Sequence, residues 1–407
     1  MKTKINTTKD CNFIDVELGS YKTCDFLSLE SAKKARQFVK THPDYQPTPL
    51  VSLEELSKLF GVKKIYVKDE SIRMGLNAFK GVGVLYAVSE LIAKKFDLDI
   101  DKISFKDLLE SKLNEEIRKL TLAAATDGNH GKGLAWVAKK LGCKCHIYMP
   151  KNTSKFRAEA IEDLGAKVMV TDLNYDHTLR LVIEEANKKG WLHIQDQAWD
   201  GYTEIANAIS RGYTIIGDEI LDQMKKDATL RPTHIILQAG AGTFAFGIFG
   251  YFTNIFFDNK PYMVVAESKN AACFYKSIEE GKFTRVSGDL ETLMAGLSVG
   301  EPNIVAWENL QTIVEGYASC SDEITARGMR ILSSPLKDDK RIISGESGAL
   351  GLGLASMICQ SLEYKKIKEL MKINEESVLL FINTEGDTEP ESYKRIVWDG
   401  KLPSNLG

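Results

Sequence analysis

The sequence predicts an α/β protein with two doubly wound domains built on mainly parallel sheets. Short apolar stretches alternate with helical patterns over residues 120–196, and apolar stretches of the same kind return after residue 233. Such alternation is typical of parallel strands joined by helical crossovers. The 407 residues also suffice for two or three domains. We therefore expect a large domain of residues 1–83 and 199–407, with a small domain of residues 84–198 inserted into it.

Each strand and helix of the first set, in residues 120–196, can be assigned in chain order from its pattern of apolar and polar residues. Strands and helices alternate as LTLAAA, NHGKGLAWVAKKLG, CKCHIYMP, SKFRAEAIEDLG, AKVMVTD, YDHTLRLVIEEANKKG and WLHIQD. The second set contributes the strands HIILQAG, YMVVAES and SVLLFINTEG. Ahead of the first set, the charged residues 96–120 predict one or two amphipathic surface helices.

Composition and charge exclude several classes of partner. The chain has 53 Lys and Arg against 56 Asp and Glu, so its net charge of -3 predicts no binding to nucleic acid or to an anionic membrane. Residues Ile235–Phe257 carry no charge and are long enough to span a membrane, but AGAG divides them into a strand, a glycine loop and a buried helix. The seven cysteines lack the paired spacing of metal ligands, which predicts reduced thiols in a cytoplasmic protein and no metal site.

Polar, glycine-rich loops follow four of the predicted strands. These loops are TDGNHG, QDQAWDGY, AGAGT and NTEGDT. Doubly wound sheets bind their ligands at the carboxyl ends of the strands. The sequence therefore predicts that the four loops line a cleft.

Three features near these strand ends suggest chemistry. Lys80 lies in the first turn of a predicted helix, where the helix dipole disfavours a cation, so it is either solvated or used as a neutral amine or Schiff base. The loop AGAGTFAFG offers backbone amides ahead of an apolar helix, which suits a phosphate, although glycines there also mark tight packing. Asp127 in TDGNHG has a plain alternative to any chemical role, because Asp commonly serves as a helix N-cap.

A lysine, a phosphate loop and a polar glycine turn on one parallel-sheet scaffold point to pyridoxal phosphate as the cofactor. The chain carries TPL at 48–50, VKDES at 67–71, NAFKG at 77–81, TDGNHGKG at 126–133, MPKNTSKFRAEAIEDLGAKV at 149–168 and AGAGTF at 239–244. This order resembles the fold-type II pyridoxal-phosphate enzymes, which include the threonine and serine dehydratases. The blocks QDQAWDGY, MAGLSVGEPN, RIISGESGALGLG, NTEGDTEPESY and VWDGK are similar to those of the diaminopropionate ammonia-lyases within that group.

The resemblance implies roles for individual cofactor-binding residues. Lys80 matches the lysine that forms a Schiff base with the cofactor, and Asn129 matches the asparagine that meets its phenolic oxygen. The phosphate loop, in which the Thr243 hydroxyl can add a donor, corresponds to Gly240, Ala241, Gly242, Thr243 and Phe244. Either Asn383 or Thr384 meets the pyridine nitrogen. Glu346 aligns with a carboxylate near the ring in some relatives; its alternative is a buried, hydrogen-bonded glutamate.

The reaction implied by the resemblance is α,β-elimination of ammonia from 2,3-diaminopropionate, which gives pyruvate and two ammonia. Lys80 would take the Cα proton of one enantiomer. Because Asp127 stands where relatives carry Ser or Thr, we hypothesise that it takes the proton of the other, so that both D and L isomers would be substrates. The substrate carboxylate is held by the turn that contains Thr126, Asp127, Gly128 and His130. Asp196 binds the distal ammonium of the substrate or, alternatively, caps a strand end. A homodimer is also implied.

Two other functions stay open. A serine or threonine dehydratase of the same fold would eliminate water from a hydroxyl amino acid, and it would differ from this chain at Asp127 and Asp196. A nucleotide-binding module without catalytic activity would use the same parallel-sheet scaffold and would bind no pyridoxal phosphate.

Overall fold

The structure is a computed structural model that describes residues 2–110, 113–126, 128–151, 153–226 and 231–404. Within these ranges the strands are β1 (Lys2–Thr7), β2 (Cys11–Glu17), β3 (Leu50–Ser52), β4 (Lys64–Asp69), β5 (Thr121–Ala125), β6 (Lys144–Met149), β7 (Lys167–Val170), β8 (Leu192–His193), β9 (His234–Gln238), β10 (Tyr262–Ser268), β11 (Gly316–Cys320) and β12 (Val378–Asn383).

The helices of the same ranges are α1 (Leu29–Val39), α2 (Glu54–Phe60), α3 (Lys80–Lys95), α4 (Phe105–Glu110), α5 (Leu113–Lys119), α6 (Asn129–Leu141), α7 (Lys155–Glu162), α8 (Tyr175–Lys189), α9 (Glu204–Lys225), α10 (Thr243–Ile255), α11 (Cys273–Glu280), α12 (Ile304–Ile313), α13 (Asp322–Ser333), α14 (Glu346–Gln360), α15 (Lys365–Leu370) and α16 (Pro390–Val397). Short 3-10 helices cover Asp25–Leu27, Glu70–Gly75, Phe257–Asn259, Lys269–Ala271, Ala295–Leu297 and Leu362–Tyr364.

The larger sheet has eight strands in the order β1-β2-β11-β10-β9-β12-β4-β3. The five strands from β11 to β4 are parallel, whereas β2 and β3 pair antiparallel with the edges of this core and β1 pairs antiparallel with β2. Every residue of β9, β11 and β12 is buried. This burial explains why β9 and β12 read as continuous apolar runs rather than as alternating ones.

The smaller sheet is all parallel, in the order β7-β6-β5-β8. Helices α6, α7 and α8 provide the crossovers, as the sequence predicts, and α7 begins after Ser154, whose hydroxyl accepts the backbone N–H of Arg157. The predicted amphipathic segment contains α4 and α5. All four strands fall within residues 84–198, so the expectation of two mainly parallel sheets is confirmed. The proposed domain boundary after residue 83 falls inside α3.

Helix α3 carries Lys80 and packs closely against two other helices at glycine contacts. A Cβ added to Gly133 of α6 would lie 3.2 Å from the Cα of Gly81, and one added to Gly212 of α9 would lie 2.7 Å from the Cα of Gly83. Only glycine allows backbones to approach this closely. The turn that presents Lys80 is therefore fixed by its contacts with α6 and α9.

The TPL and VKDES motifs form a buried network of charges behind this turn. Arg73 donates to Glu70 and to Glu219 of α9, and Lys68 Nζ lies 2.7 Å from a Glu219 oxygen. The hydroxyl of Thr48 donates to Glu70. Burial alone would raise the pKa of Glu219, but Arg73 and Lys68 lower it to about 2. These motif residues are therefore paired with one another, and they anchor the chain that leads into α3.

The uncharged stretch Ile235–Phe257 divides as the sequence predicts. It contains most of β9, the glycine loop and α10, and both elements are almost entirely buried. Among the described helices, none combines the length and the apolar character that crossing a membrane requires.

Candidate active site

A cavity of about 70 Å³ lies at the carboxyl ends of β5, from the smaller sheet, and of β9 and β12, from the larger one. Most of the residues singled out in the sequence line it: Lys80, Thr126, Asn129, His130, Asp196, Gly240, Ala241, Gly242, Thr243, Phe244 and Thr384. Doubly wound proteins bind ligands at this edge of the sheet. The four polar loops thus converge on one site.

Lys80 and Asp196 form an ion pair inside the cavity. Lys80 is the first residue of α3, and its Nζ contacts Asp196 Oδ2, with side-chain exposures of only 21% and 12%. Burial raises the pKa of Asp196, but the charges of His130 and Lys80 lower it further, so its pKa lies below its ordinary value. The carboxylate is therefore ionised beside the reactive amine. Its backbone carbonyl also accepts the Thr243 hydroxyl, so Asp196 organises the end of its strand as well.

His130 is the third member of this group. Its Nε2 lies 2.8 Å from the carbonyl oxygen of Ile194, which can only accept, so Nε2 carries a proton. Its buried Nδ1 faces Asp196 Oδ2 at 3.7 Å and has no hydrogen-bond partner among the described residues. The imidazole is thus held with one nitrogen turned towards the Lys80–Asp196 pair.

The loop from Gly240 to Gly242 joins β9 to α10 and forms one wall of the cavity. Gly242 has φ +93, and a Cβ there would lie 2.3 Å from the Phe274 ring, so this turn requires glycine. The first backbone N–H groups of α10 have no intrahelical acceptor and point towards the cavity end of the helix. The positive end of the helix dipole adds to their attraction for an anion.

Thr243 uses its hydroxyl in two hydrogen bonds. Its hydroxyl hydrogen is donated to the carbonyl of Asp196, and its oxygen accepts Asn303 Nδ2 at 2.8 Å. A hydroxyl has a single hydrogen to donate. In this structure the Thr243 hydroxyl is therefore already used, so its role as a phosphate donor stays a prediction, and the backbone amides of the loop are the other donors.

The turn before α6 presents backbone amides from the other side. Helix α6 begins at Asn129 with Gly128 at its N-cap position, and the Thr126 hydroxyl accepts the N–H groups of Gly128 and Gly131 at 3.0 and 3.2 Å. The amides of Asn129 and His130 lie in the first turn, where no intrahelical acceptor is available. Gly128 does not line the cavity. Asp127 lies outside the described residues.

The two candidates for the pyridine nitrogen, Asn383 and Thr384, lie differently with respect to the cavity. The Thr384 side chain lines the cavity, and its hydroxyl accepts Gln238 Nε2 at 2.7 Å. The Asn383 side chain points away and donates to Asp69 at 2.8 Å and to the carbonyl of Ile343 at 3.0 Å. Successive side chains of an extended strand point to opposite faces, so only one of the two neighbours can reach the cavity.

Two buried carboxylates lie at the start of α14. Glu346 does not line the cavity; burial and the neighbouring Glu385 raise its pKa to about 6. Glu385, which follows Thr384, does line it and is only 3% exposed. The sequence reading names no role for Glu385, although its place directly after a strand end in NTEGDT is the same signal that identified the other loops. Ser347 lines the cavity too, with a buried hydroxyl that lacks a partner among the described residues.

These features fit pyridoxal phosphate. The glycine turn at Gly242 leaves no space for a side chain and offers amides for the phosphate, while Lys80 supplies an amine in the same cavity. Asn129 and the Thr384 hydroxyl supply neutral polar groups at other points of the wall. A lysine and an amide cradle within one cavity are what this cofactor needs from a protein.

Comparison with known proteins agrees with the geometry. The family model of pyridoxal-phosphate dependent enzymes matches residues 42–370. The chain is 45% identical to the diaminopropionate ammonia-lyase of Escherichia coli strain K12 over 379 residues, which cover 93% of this chain and 94% of that protein.

Solved structures extend the similarity to the whole fold. The crystal structure of the Escherichia coli diaminopropionate ammonia-lyase in complex with D-serine is 41% identical, with a TM-score of 0.91 over 100% of this chain and 99% of that one. The same enzyme with an aminoacrylate–pyridoxal-phosphate azomethine reaction intermediate gives a TM-score of 0.90 at 41% identity, again over 100% and 99% of the two chains. The chain therefore belongs to the pyridoxal-phosphate dependent enzymes and, within them, to the diaminopropionate ammonia-lyase family.

Proposed function

We propose that this protein is a carbon–nitrogen lyase that eliminates ammonia from 2,3-diaminopropionate to give pyruvate and two ammonia. The observation that carries the proposal is the meeting of Lys80, the Gly240–Gly242 loop and the ionised Asp196 in one cavity. The similarity to the Escherichia coli enzyme over nearly the whole chain supports the same substrate. When bound, pyridoxal phosphate supplies an electron sink for the charge that develops at the substrate Cα.

Lys80 would hold pyridoxal phosphate covalently, and its amine would take the Cα proton of one enantiomer. The amine lies beside Asp196 at the start of α3, and the glycine contacts of α3 with α6 and α9 fix the position of its backbone. A base acts well only when its nitrogen is within hydrogen-bond reach of the proton. The Lys80 side chain is only 21% exposed, which limits the water that could compete for it.

Asp196 is the group that we assign to the distal ammonium of the substrate. Its pKa lies below its ordinary value because of His130 and Lys80, so it carries a negative charge at neutral pH. A substrate ammonium can replace the Lys80 ammonium as its partner when Lys80 is engaged elsewhere. A hydroxyl substrate gains nothing from this charge, so Asp196 favours a diamine over serine.

The remaining assignments place the cofactor and the substrate carboxylate. We assign the phosphate to the amides of Gly240, Ala241 and Gly242, and the pyridine nitrogen to the Thr384 hydroxyl. The first-turn amides of α6, at Asn129 and His130, are assigned to the substrate carboxylate. Thr126 and Gly128 shape that turn. Phe244 closes the wall of the cavity, packed against the Phe79 ring at a centroid distance of 4.5 Å.

Asp127 is proposed as the second base, which acts on the enantiomer that Lys80 does not reach. This assignment rests on the sequence alone, since a carboxylate stands where related dehydratases and racemases carry a hydroxyl residue. A carboxylate is the stronger base but a poor neighbour for the substrate carboxylate, so its presence needs a chemical reason.

The test is pyruvate release from D- and L-diaminopropionate, with L- and D-serine as controls. We expect both diaminopropionate isomers to react with a higher kcat/KM than either serine isomer. A serine or threonine dehydratase would give the opposite order. A protein that binds no pyridoxal phosphate, and so shows no yellow colour and no reaction, would contradict the enzyme assignment altogether.

Three broader assignments complete the proposal. We propose that residues 1–83 and 199–407 form the large domain and residues 84–198 the small one. We further propose a homodimer, which light scattering after size-exclusion chromatography would detect as twice the mass of 45.4 kDa. A cytoplasmic location agrees with the seven cysteines, all of which are free thiols.

A further inference from the structure

Glu385 connects α6 and α14 at the cavity, because each of its carboxylate oxygens accepts a hydrogen bond from one of these helices. Its Oε2 accepts Asn129 Nδ2 from α6 at 2.5 Å, and its Oε1 accepts the backbone N–H of Ser347 in α14 at 3.0 Å. The hydroxyl of Thr388 also reaches Oε2, at 3.3 Å. A buried carboxylate with this many donors is fixed in one orientation.

The surroundings of Glu385 are built to hold it there. A Cβ added to Gly345 would lie 2.9 Å from Glu385 Cγ and 3.0 Å from Oε1, so the glycine leaves room for this side chain. The Gly345 N–H donates to the Glu385 carbonyl at 2.9 Å. Ser347 is the second residue of α14, so its N–H has no intrahelical acceptor, and the positive end of the helix favours a carboxylate ion.

The charge of Glu385 determines how Asn129 can be oriented. A carboxylate ion only accepts hydrogen bonds, so Asn129 must turn its NH₂ group, not its carbonyl oxygen, towards Glu385. One N–H is used in that contact and the second remains available in the cavity. Without Glu385, the Asn129 amide could rotate and present its oxygen instead, which would repel an oxygen of the cofactor.

We propose that Glu385 is a positioning residue that fixes the amide of Asn129 so that its second N–H faces the phenolic oxygen of pyridoxal phosphate. The inference rests on the proposed function and on the role that the family resemblance implies for the Asn129 side chain, a hydrogen bond to the phenolic oxygen of the cofactor. In this role Glu385 controls the electronic state of the cofactor and does not contact the substrate.

A double-mutant cycle tests the inference with the cofactor-loaded enzyme. Glu385→Gln keeps the size of the side chain, and the glutamine oxygen can still accept the Ser347 N–H. The glutamine NH₂ group then faces Asn129, so the Asn129 side-chain amide must flip to present its oxygen. We measure the visible absorbance band of the bound cofactor between pH 6 and 9, the dissociation constant of pyridoxal phosphate, and steady-state kinetics for Glu385→Gln, Asn129→Ala and the double variant.

We expect Glu385→Gln to shift the band or its pH midpoint and to lower kcat about tenfold, the effect of one lost hydrogen bond to a charged group, with a smaller change in KM. In the Asn129→Ala background the same substitution adds no further change. Glu389→Gln is the matched control, because Glu389 lies in the same loop and contacts Ser154 and Arg157 without lining the cavity; it leaves the band unchanged.

The possible failures are distinguishable. A band and kcat unaffected by Glu385→Gln, or effects that add fully to those of Asn129→Ala, overturn the role of Glu385. An Asn129→Ala variant with an unchanged band overturns the assignment of Asn129 itself, while pyruvate release still tests the proposed reaction. If Glu385→Gln does not fold, Glu385→Asp withdraws the carboxylate by one methylene and is expected to give the same spectral change.

Discussion

At the residue scale, the two-base proposal makes a stereochemical prediction for Asp127→Asn. The amide keeps the size of the side chain but cannot take a proton at neutral pH, so only one enantiomer of diaminopropionate loses its base. We expect kcat for that enantiomer to fall by about 100-fold or more, the usual contribution of a general base, with the other nearly unchanged. Pyruvate release from the separate isomers measures this. Equal losses on both isomers, or none on either, would show that Asp127 is not a second base.

Asp196→Asn tests a charge contact rather than a base. The substitution removes the negative charge that Lys80 and His130 hold ionised, so the distal ammonium of diaminopropionate loses its partner. We expect KM for diaminopropionate to rise at least tenfold, the cost of losing an ionic hydrogen bond, and KM for serine to change little. The ratio of the two KM values is the readout. A similar rise for both substrates would instead favour the alternative role of Asp196 at its strand end.

The sequence identifies residue types at this site more readily than side-chain directions. Lys80, Asn129 and the glycine loop lie in motifs that the local sequence identifies. The choice between Asn383 and Thr384 depends on which face of β12 each side chain occupies, and this is set by neighbouring strands that the local sequence does not describe. Glu385 was missed for the same reason, since its partners, Asn129 and Ser347, are distant in the chain.

At the scale of elements, the buried parallel strands are the predictable part. β5, β6, β9, β10 and β12 are apolar runs that end in polar loops, and all were assigned from that pattern. The hairpin β1–β2 was not, because β1 is an exposed edge strand with mixed polar residues. β11 was also missed, since its sequence GYASC has only weak apolar character although every residue is buried.

The close packing of α3 against α9 gives a prediction for Gly212→Ala. On an open helix alanine is favoured over glycine by about 1 kcal/mol. Here its Cβ would meet the Gly83 backbone at 2.7 Å, and the side chain of Tyr86 at 3.2 Å, so a backbone shift is required. We expect the free energy of unfolding to fall by about 1–3 kcal/mol, together with a loss of activity from displacement of the Lys80 turn.

Chemical denaturation of Gly212→Ala, with Lys225→Ala as the control, measures the change in the free energy of unfolding. Lys225 lies in the last turn of the same helix and is exposed, so its replacement should change stability by no more than about 0.5 kcal/mol. A Gly212→Ala variant as stable as that control would mean that α9 can move away from α3 at no cost.

At the scale of the whole molecule, the proposed cofactor site takes residues from around both sheets. Lys80, the Gly240–Gly242 loop and Thr384 belong to elements around the larger sheet, whereas Asn129 and His130 begin α6 beside the smaller one. A ligand that binds only the folded chain stabilises it by mass action. Because the contacts come from both sheets, pyridoxal phosphate should stabilise the two parts together rather than one alone.

We therefore expect removal of the cofactor to lower the Tm measurably. At a free cofactor concentration 100 times its dissociation constant, the gain is about 2.7 kcal/mol, which corresponds to a few degrees in Tm for a chain of this size. Scanning calorimetry of the apoenzyme with increasing pyridoxal phosphate should show one transition that moves upwards. Lys80→Ala retains the amide loop but loses the covalent link, so its Tm should rise less at the same concentration. Two separate transitions, of which only one responds to the cofactor, would mean that the site does not couple the two sheets.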